Sequence, residues 1–592
     1  MRAMMLHEYA RMLAWSKSVA GFPPRAEGSG SQKERTNVKL NRRFPGSQGA
    51  VAAAILGAVA LVACAPSPPP APAAPAVPAA PGAAAPGAAA PQAAPGQPKR
   101  GGTLKIPFRF PAAHFDPQAG SVSGLYSVNE PVRETLFAYK QGADVGPLDW
   151  IIEPRGAEKW EMPDLSTFAV TLRSGVQWHD GKPFTAKDVQ FTMERGSRKP
   201  ESQRQHLYNW GLPIETPNDL TVKFNVKEPL ASSILLTRLA DTAAPILPAH
   251  LSDDEMKNRL VGTGPFVAKE FTRDAVYKYG RNPNYWDKNL PYVDELQLFF
   301  ITDVAARLAA LRSGQIDMEE RDLKIRNIET LKQTNPELKT ECWPAGGNGW
   351  FRLNLARKPL DDIRVRRALS LAIDRDALGR AVWGEPGVHN PIVPANMKQW
   401  ALPEAEKNLP YNRYDPEKAK QLLAEAGYGP NNPLKLEGNV SAQLANYAKY
   451  MEIAKDQWTR VNVEMDLKIQ EQTLAFATQP NRDFTIYAQG SRQLFDPDEY
   501  TYPWFHTNGE RNYGGWGTSD LDKILERSRT ARTDKERQEA LWEVQRIVGD
   551  QVWVITFVDG QDCTAWQPYV KNFRPDVTSS FWNGRVYWID KG

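Results

Sequence analysis

From Ala65 to Gln97 the chain is almost entirely proline, alanine and glycine, with no charged or aromatic side chain. Such a stretch has too little to bury and cannot form a core. Proline keeps it extended and semi-rigid, at about 3.1 Å per residue where it is polyproline-like. Any large folded body is therefore confined to the residues from Lys99 onward, roughly 490 of them, a length that suits two or three domains. The stretch itself suits a tether that holds such a body away from a surface.

Directly before this tether stands Cys64, one of three cysteines in the chain. Ala50 to Ala63 is an apolar run of about 14 residues, too short to cross a hydrocarbon core of roughly 30 Å as a helix. Lys33, Arg35, Lys39, Arg42 and Arg43 precede it, with Glu34 as the only acid of that patch. A basic region, a short apolar core and small residues at its end describe a secretory signal. The sequence Leu61-Val62-Ala63-Cys64 resembles the bacterial lipoprotein signal, which implies that Cys64 is acylated and becomes the new N-terminus. Two or more acyl chains are what stable anchoring needs. A plain signal peptide with an incidental cysteine is the alternative. Residues 1 to about 32 read as an over-long start, and Arg42-Arg43 fits a twin-arginine signal poorly.

The formal net charge of the whole chain is +4, so nothing points to nucleic acid. No later run is long and apolar enough to span a membrane. Cys342 and Cys563 form an even pair that an exported protein could oxidise, although spacing alone does not decide it. Eighteen tryptophans, nearly all after the tether, are more than a core alone demands and suit a pocket that stacks on a ligand. Seven scattered histidines give no metal-ligand spacing.

Alternation predicts strands at Ser166 to Leu172 and at Val463 to Ile469; Glu295 to Phe300 and Val552 to Phe557 read as more buried strands. Thr185 and Asp188 form a capping box ahead of a helix. Asp415, with Pro416 behind it and Gly427 past the end, brackets another helix, on which Ala419, Leu422, Leu423 and Ala426 form the apolar stripe. Val365, Leu369, Ala372 and Ile373 make a similar stripe through "VRRALSLAIDRDAL". Helices and strands alternate in two blocks, which predicts two α/β lobes rather than one sheet.

The segment "WEMPDLSTFAVTLRSGVQWHDGKPFTAKDVQFTMER", Trp160 to Arg195, resembles the hallmark of the family 5 extracellular solute-binding proteins, the peptide, nickel and oligosaccharide receptors of ABC importers. Further matches follow in the family's order: "GGTLKI" at Gly101, "GTGPF" at Gly262, "RNPNYWDKNLPYVDEL" at Arg281, "LRSGQIDM" at Leu311, "NLARKPLDDIRVRRALSLAIDRDAL" at Asn354, "YDPEKAKQLLAEAGY" at Tyr414 and "DPDEY" at Asp496. Most of their physics is structural. Trp178 and Phe184 should plug a core, the glycines of "GTGPF" should let two segments pass closely, and His179 beside Asp180 suits a hydrogen-bonded turn better than a catalytic or metal pair.

The resemblance implies an α/β fold, a two-lobed periplasmic-binding-protein-like clam-shell (type II, cluster C) with an extra small domain inserted in the N-terminal lobe. The expected division is signal and extension over 1–63, lipidated cysteine and tether over 64–98, and lobe I over 99–144, 236–342 and 551–592. The inserted domain would occupy 145–235 and lobe II 343–550. Cys342 would then lie near the outgoing crossing between lobes and Cys563 just after the return, which favours a bridge between them.

The implied activity is capture of a solute, an oligopeptide or oligosaccharide, between the lobes and delivery to an ABC importer permease, with no cofactor and no chemistry on the solute. The implied protein is a monomer, anchored outside the cytoplasm by lipid. A secreted hydrolase of peptides or glycosides and a solute sensor without transport are the alternatives, although no nucleophile elbow, zinc-protease motif or phosphate loop is present. Peptide-binding members of the family hold the peptide ammonium with an aspartate three residues before the "DPD" motif; here that position is Gln493, which carries no charge. Arg492 suits a carboxylate or phosphate. Gln493 with Tyr487, Trp350 and Trp516 suits a sugar, while Asp496 or Asp498 could serve in place of the missing aspartate. Tyr126, Ser127 and Asn129, expected on the first long loop of the N-terminal lobe, complete the candidates for ligand binding.

Overall fold

The computed structural model describes residues 97–591, apart from 120–122, 200–204, 320–322, 390–391, 404–405, 407–408, 492–494 and 576–583. Cys64 and the tether up to residue 96 lie outside the described residues, as do Arg492 and Gln493. Among the described residues no helix is long and apolar enough to cross a membrane.

Strand Thr103–Phe108 buries Leu104, Ile106 and Phe108 and pairs in parallel with Glu295–Phe300, beyond which Val276–Arg281 and Phe266–Thr272 complete a four-stranded sheet. A parallel pair needs a long crossover. Here the intervening chain builds a second, antiparallel sheet in the order Ala157–Asp164, Thr167–Leu172, Thr221–Asn225, Ile214–Asn218. Phe168, Val170 and Leu172 point into its core with Trp178 and Phe184, as alternation predicted. The helix Ala186–Arg198 packs on this sheet. Its capping box does more than cap: buried Asp188 accepts the Thr185 N–H at 2.8 Å, the Ala249 N–H at 2.9 Å and the Trp178 indole N–H at 3.3 Å.

A third sheet runs Val463–Gln470, Leu434–Ser441, Ile486–Ser491, Asn348–Leu353, Val554–Thr556, with its first three strands parallel and its last two pairings antiparallel. Two sequence expectations are corrected here. The stripe from Val365 to Ile373 does not continue through Leu378 in one helix. Asp374 starts a new helix, Arg375–Trp383, by accepting the Ala377 N–H at 2.9 Å, and the first ends at Leu371. The strand expected from Val552 is also shorter, because Val552 sits at φ 47° as the left-handed end of the helix Asp534–Gln551.

Two antiparallel strands, Lys339–Pro344 and Gln561–Trp566, carry the chain out to the third sheet and back. Cys342 faces Cys563 across them, the two sulfurs are bonded, and their Cα atoms stand 4.1 Å apart. After this return Val570, Phe573 and Tyr587 join the core of the first sheet. The result is a two-lobed α/β fold: the first two sheets with their helices form one lobe, and the five-stranded sheet with its helices forms the other.

"GTGPF" marks the tightest crossing in the first lobe. Gly264 donates its N–H to the Val132 carbonyl at 2.8 Å, and a Cβ on Gly262 would stand 1.8 Å from that same oxygen. Gly262→Ala must therefore push backbone apart and is expected to cost about 3 kcal/mol. Gly429→Ala, where a Cβ meets nothing within 4 Å, is the control and is expected to be neutral. Chemical denaturation of both variants checks the contrast.

Candidate functional site

Between the lobes opens a cleft of about 770 Å³, within the range of small-molecule sites. The first lobe contributes Glu228 and Arg238, the latter from the helix Ser232–Ala240; the rest of the lining comes from the second lobe. Arg352 stands on the strand Asn348–Leu353, between Phe351 and Leu353, which face the opposite side of the sheet and fill its core. Its guanidinium lies over the Trp504 ring at 4.2 Å and donates to the Gln479 side-chain carbonyl. Gln479 in turn donates to Gln489 Oε1 at 2.5 Å. Arg352 is only 2% exposed, and burial pushes its pKa down to about 10.

The helix that carries Trp504 is positioned by Asp496. Both of its carboxylate oxygens are held by Arg537, at 3.0 Å for Nη1, and Oδ1 also accepts the Asp498 N–H at 2.8 Å, which sets the start of the helix Asp498–Phe505. Arg537 Nη1 also reaches Ser233 Oγ across the lobes at 2.9 Å. Asp498 lies 3.3 Å from Arg529 Nε, and burial raises its pKa. Glu499, which lines the cleft, is pushed up to about 7, first by burial and then by Asp496 and Asp241, against the opposing pull of Arg238.

Of the described residues expected to bind a ligand, the structure brings only Asp498, the alternative to Asp496, into the lining of this cleft. Trp350 packs edge-on against Trp504 at 5.6 Å and on Phe505. Trp516 is sealed against Phe505, with its indole N–H on the Leu353 carbonyl at 2.7 Å, and Tyr487 is fully buried beside Phe484. These rings are core, so they offer no face for a sugar. Asp496 is taken by Arg537. Tyr126, Ser127 and Asn129 lie on a short helix, Ser123–Asn129, instead of a loop. There Tyr126 is half-buried, Ser127 donates to Gly124 O at 3.2 Å, and Asn129 donates to Leu125 O at 2.8 Å and accepts from Arg133 at 2.7 Å.

His179 is a structural group, as its turn context suggested. Its Nε2 meets Gly264 O at 3.0 Å, burial drops its pKa to about 4, and Asp180 pairs instead with His250 at 2.8 Å. Among the described residues no group of three His, Cys, Asp or Glu side chains is placed to hold a metal ion. Sequence reasoning missed Arg352, Gln479, Glu499 and Arg511. The one local signal was an arginine set between Phe351 and Leu353 in a strand that otherwise reads as core.

Comparison with known proteins agrees with this architecture. The model of the bacterial extracellular solute-binding proteins, family 5 Middle, matches residues 152–512. The chain is 26% identical to heme-binding protein A of Haemophilus influenzae over 78% of its length and 87% of that protein's. It is 27% identical to the dipeptide-binding protein of Escherichia coli, over 74% of this chain and 85% of the relative. Its fold superposes on the structure of HbpA2 from Haemophilus parasuis with a TM-score of 0.72 at 21% identity, covering 83% of this chain and all of that one.

The Glu499 carboxyl carries a pH signature. Folded, it holds its proton up to about pH 7; in the unfolded chain it releases it near 4.5. Its contribution to stability is therefore greatest below 4.5 and is lost as pH rises towards 7. Glu499→Gln removes that loss. Its melting temperature should match the unsubstituted protein near pH 4.5 and exceed it by a margin that grows to about pH 7 and then levels off, and thermal melts from pH 4.5 to 8 test this.

Proposed function

The chain belongs to the bacterial extracellular solute-binding proteins of family 5, and from that premise we propose that it captures a short peptide between its lobes and hands it unaltered to a membrane importer. The observation that carries this reading is the cleft itself. It is lined by a buried guanidinium, Arg352, and by two carboxyl groups, Asp498 and Glu499, at the start of the helix Asp498–Phe505. A zwitterion meets both signs of charge; a neutral sugar meets neither, and the rings expected to stack on one are buried in the core. The dipeptide-binding relative supports the peptide class.

Binding favours lobe closure only through contacts made to both lobes at once. Glu228 and Arg238 supply the first lobe's share. In the same reading the lobes divide near the crossing strands, with lobe II over about 343–550 and the inserted domain over 145–235. Cys64 carries the lipid, and the segment 64–98 leashes the receptor near its permease at raised effective concentration.

Incubated with a pool of di- and tripeptides, the protein should retain peptide at one per chain, seen by native mass spectrometry, with every peptide mass unchanged. Shortened peptides accumulating with time would instead indicate a hydrolase. Cys64→Ala, expressed in a bacterial host, should leave the membrane fraction and lose the acyl mass; an unchanged distribution would remove the anchor from the reading.

A further inference from the structure

Building on the solute-binding reading, we propose that Arg352 forms an anion-receiving subsite of the cleft, placed to meet a carboxylate or similar oxyanion on the bound solute. Burying an unpaired cation is costly, so proteins give buried arginines a partner. The other deeply buried arginines here follow that rule. Arg307 meets Glu319, Arg537 meets Asp496, and Arg195 meets Asp116. Arg375 has no acid but donates to the carbonyls of Thr556, Ser370 and Asn412 at 2.8–3.2 Å.

Arg352 has neither kind of compensation. It makes one hydrogen bond, to the neutral amide of Gln479, and its Nε meets no acceptor among the described residues. Yet its position is fixed: Trp504 covers one face of the guanidinium, and the Gln479–Gln489 pair steadies its edge. A second cation, Arg511, lies over the same Trp504 ring at 5.6 Å, and its nearest acid is the exposed neighbour Glu510 at 3.6 Å. Of the carboxylates that line the cleft, Glu510 pairs with Arg511, Glu228 and Asp498 are engaged by Arg529, and none among the described residues pairs with Arg352. Arg352 and Arg511 both line the cleft, so the missing counter-charge has room to arrive with the solute. A planar guanidinium accepts a carboxylate or a phosphate through paired N–H donors and discriminates against neutral groups.

The test compares the purified full chain with Arg352→Gln, Arg352→Lys and Arg352→Met, using three probes: a pool of di- and tripeptides with free carboxyl ends, the same pool amidated, and sodium phosphate. For the unsubstituted protein, amidation should weaken binding by roughly tenfold or more. For Arg352→Gln the two pools should bind alike, with Arg352→Lys between. If phosphate alone protects the unsubstituted protein against thermal unfolding and fails to protect Arg352→Gln, the subsite stands with a different oxyanion and the peptide reading falls. Equal responses of the two proteins to all three probes overturn the subsite, and equal, tight binding of peptides by both leaves the peptide reading intact without it. The ligand-free melting temperature of Arg352→Met separates function from architecture. It should equal or exceed that of the unsubstituted protein, whereas a marked drop makes Arg352 a stabilising group and overturns the proposal.

Discussion

The guanidinium of Arg537, held between both oxygens of Asp496 and the hydroxyl of Ser233, is the junction on which the cleft depends. It ties the helix Asp534–Gln551 to the turn that launches Asp498–Phe505, and it reaches the first turn of Ser232–Ala240 in the other lobe. A buried ion pair of this kind adds little net stability over an apolar packing, because both charges lose their water. Removing one partner is another matter, since the survivor is left buried and alone. The junction thus acts chiefly as a register: it fixes where Asp498 and Glu499 stand relative to Arg238 and Arg529. It also uses up the acid that the sequence motif offered most prominently to a ligand.

Much of the fold was legible because its signals are local. The Thr185/Asp188 box, the Asp415 cap ahead of Pro416–Glu425 and the alternation at Thr167–Leu172 each specify an element from within a few residues. The glycines of "GTGPF" were legible as a close crossing, but its partner, the Val132 carbonyl, is 130 residues away and no spacing reveals it. The misreadings were also local competitions. Periodicity ran smoothly through Ala372 and Ile373, yet Asp374 could cap a new helix, and the cap won. Tyr126 to Asn129 lacked an obvious helical stripe because Ser127 and Asn129 bury their polar groups on the helix's own carbonyls.

The cleft was less legible than the fold. Trp350 and Arg352 lie two residues apart on one strand and share a face, yet one is core and the other lines the cleft. Alternation assigns residues to faces; it does not say how far along a face the covering helices extend. Here the helix Asp498–Phe505 covers Trp350 with Trp504 and Phe505 and leaves Arg352 at its margin. Gln479, which accepts the hydrogen bond that Arg352 makes among the described residues, is 127 residues distant in sequence. An aromatic-rich sequence invites the assumption that rings bind ligands. In this chain the rings of Trp350, Tyr487 and Trp516 hold the walls in place, while Phe476, Tyr502, Trp504 and Tyr513 line the cleft together with the charged groups.

The charges across the cleft also bear on when the lobes close. Arg238 arrives from the first lobe and faces the acidic wall, where it lowers the pKa of Glu499 against the dominant effect of burial. Arg352 has no acidic partner among the described residues, and burial pushes the pKa of Glu499 up to about 7. Both conditions raise the free energy of the empty cleft. A solute carrying one charge of each sign relieves both at once, whereas a neutral solute of the same size relieves neither. Because Arg352 and Glu499 both belong to the second lobe, that selection couples to closure only through a solute that also meets Glu228 or Arg238 of the first. Solute charge is thus read by the second lobe, and any bias towards closure falls to Glu228 and Arg238 of the first.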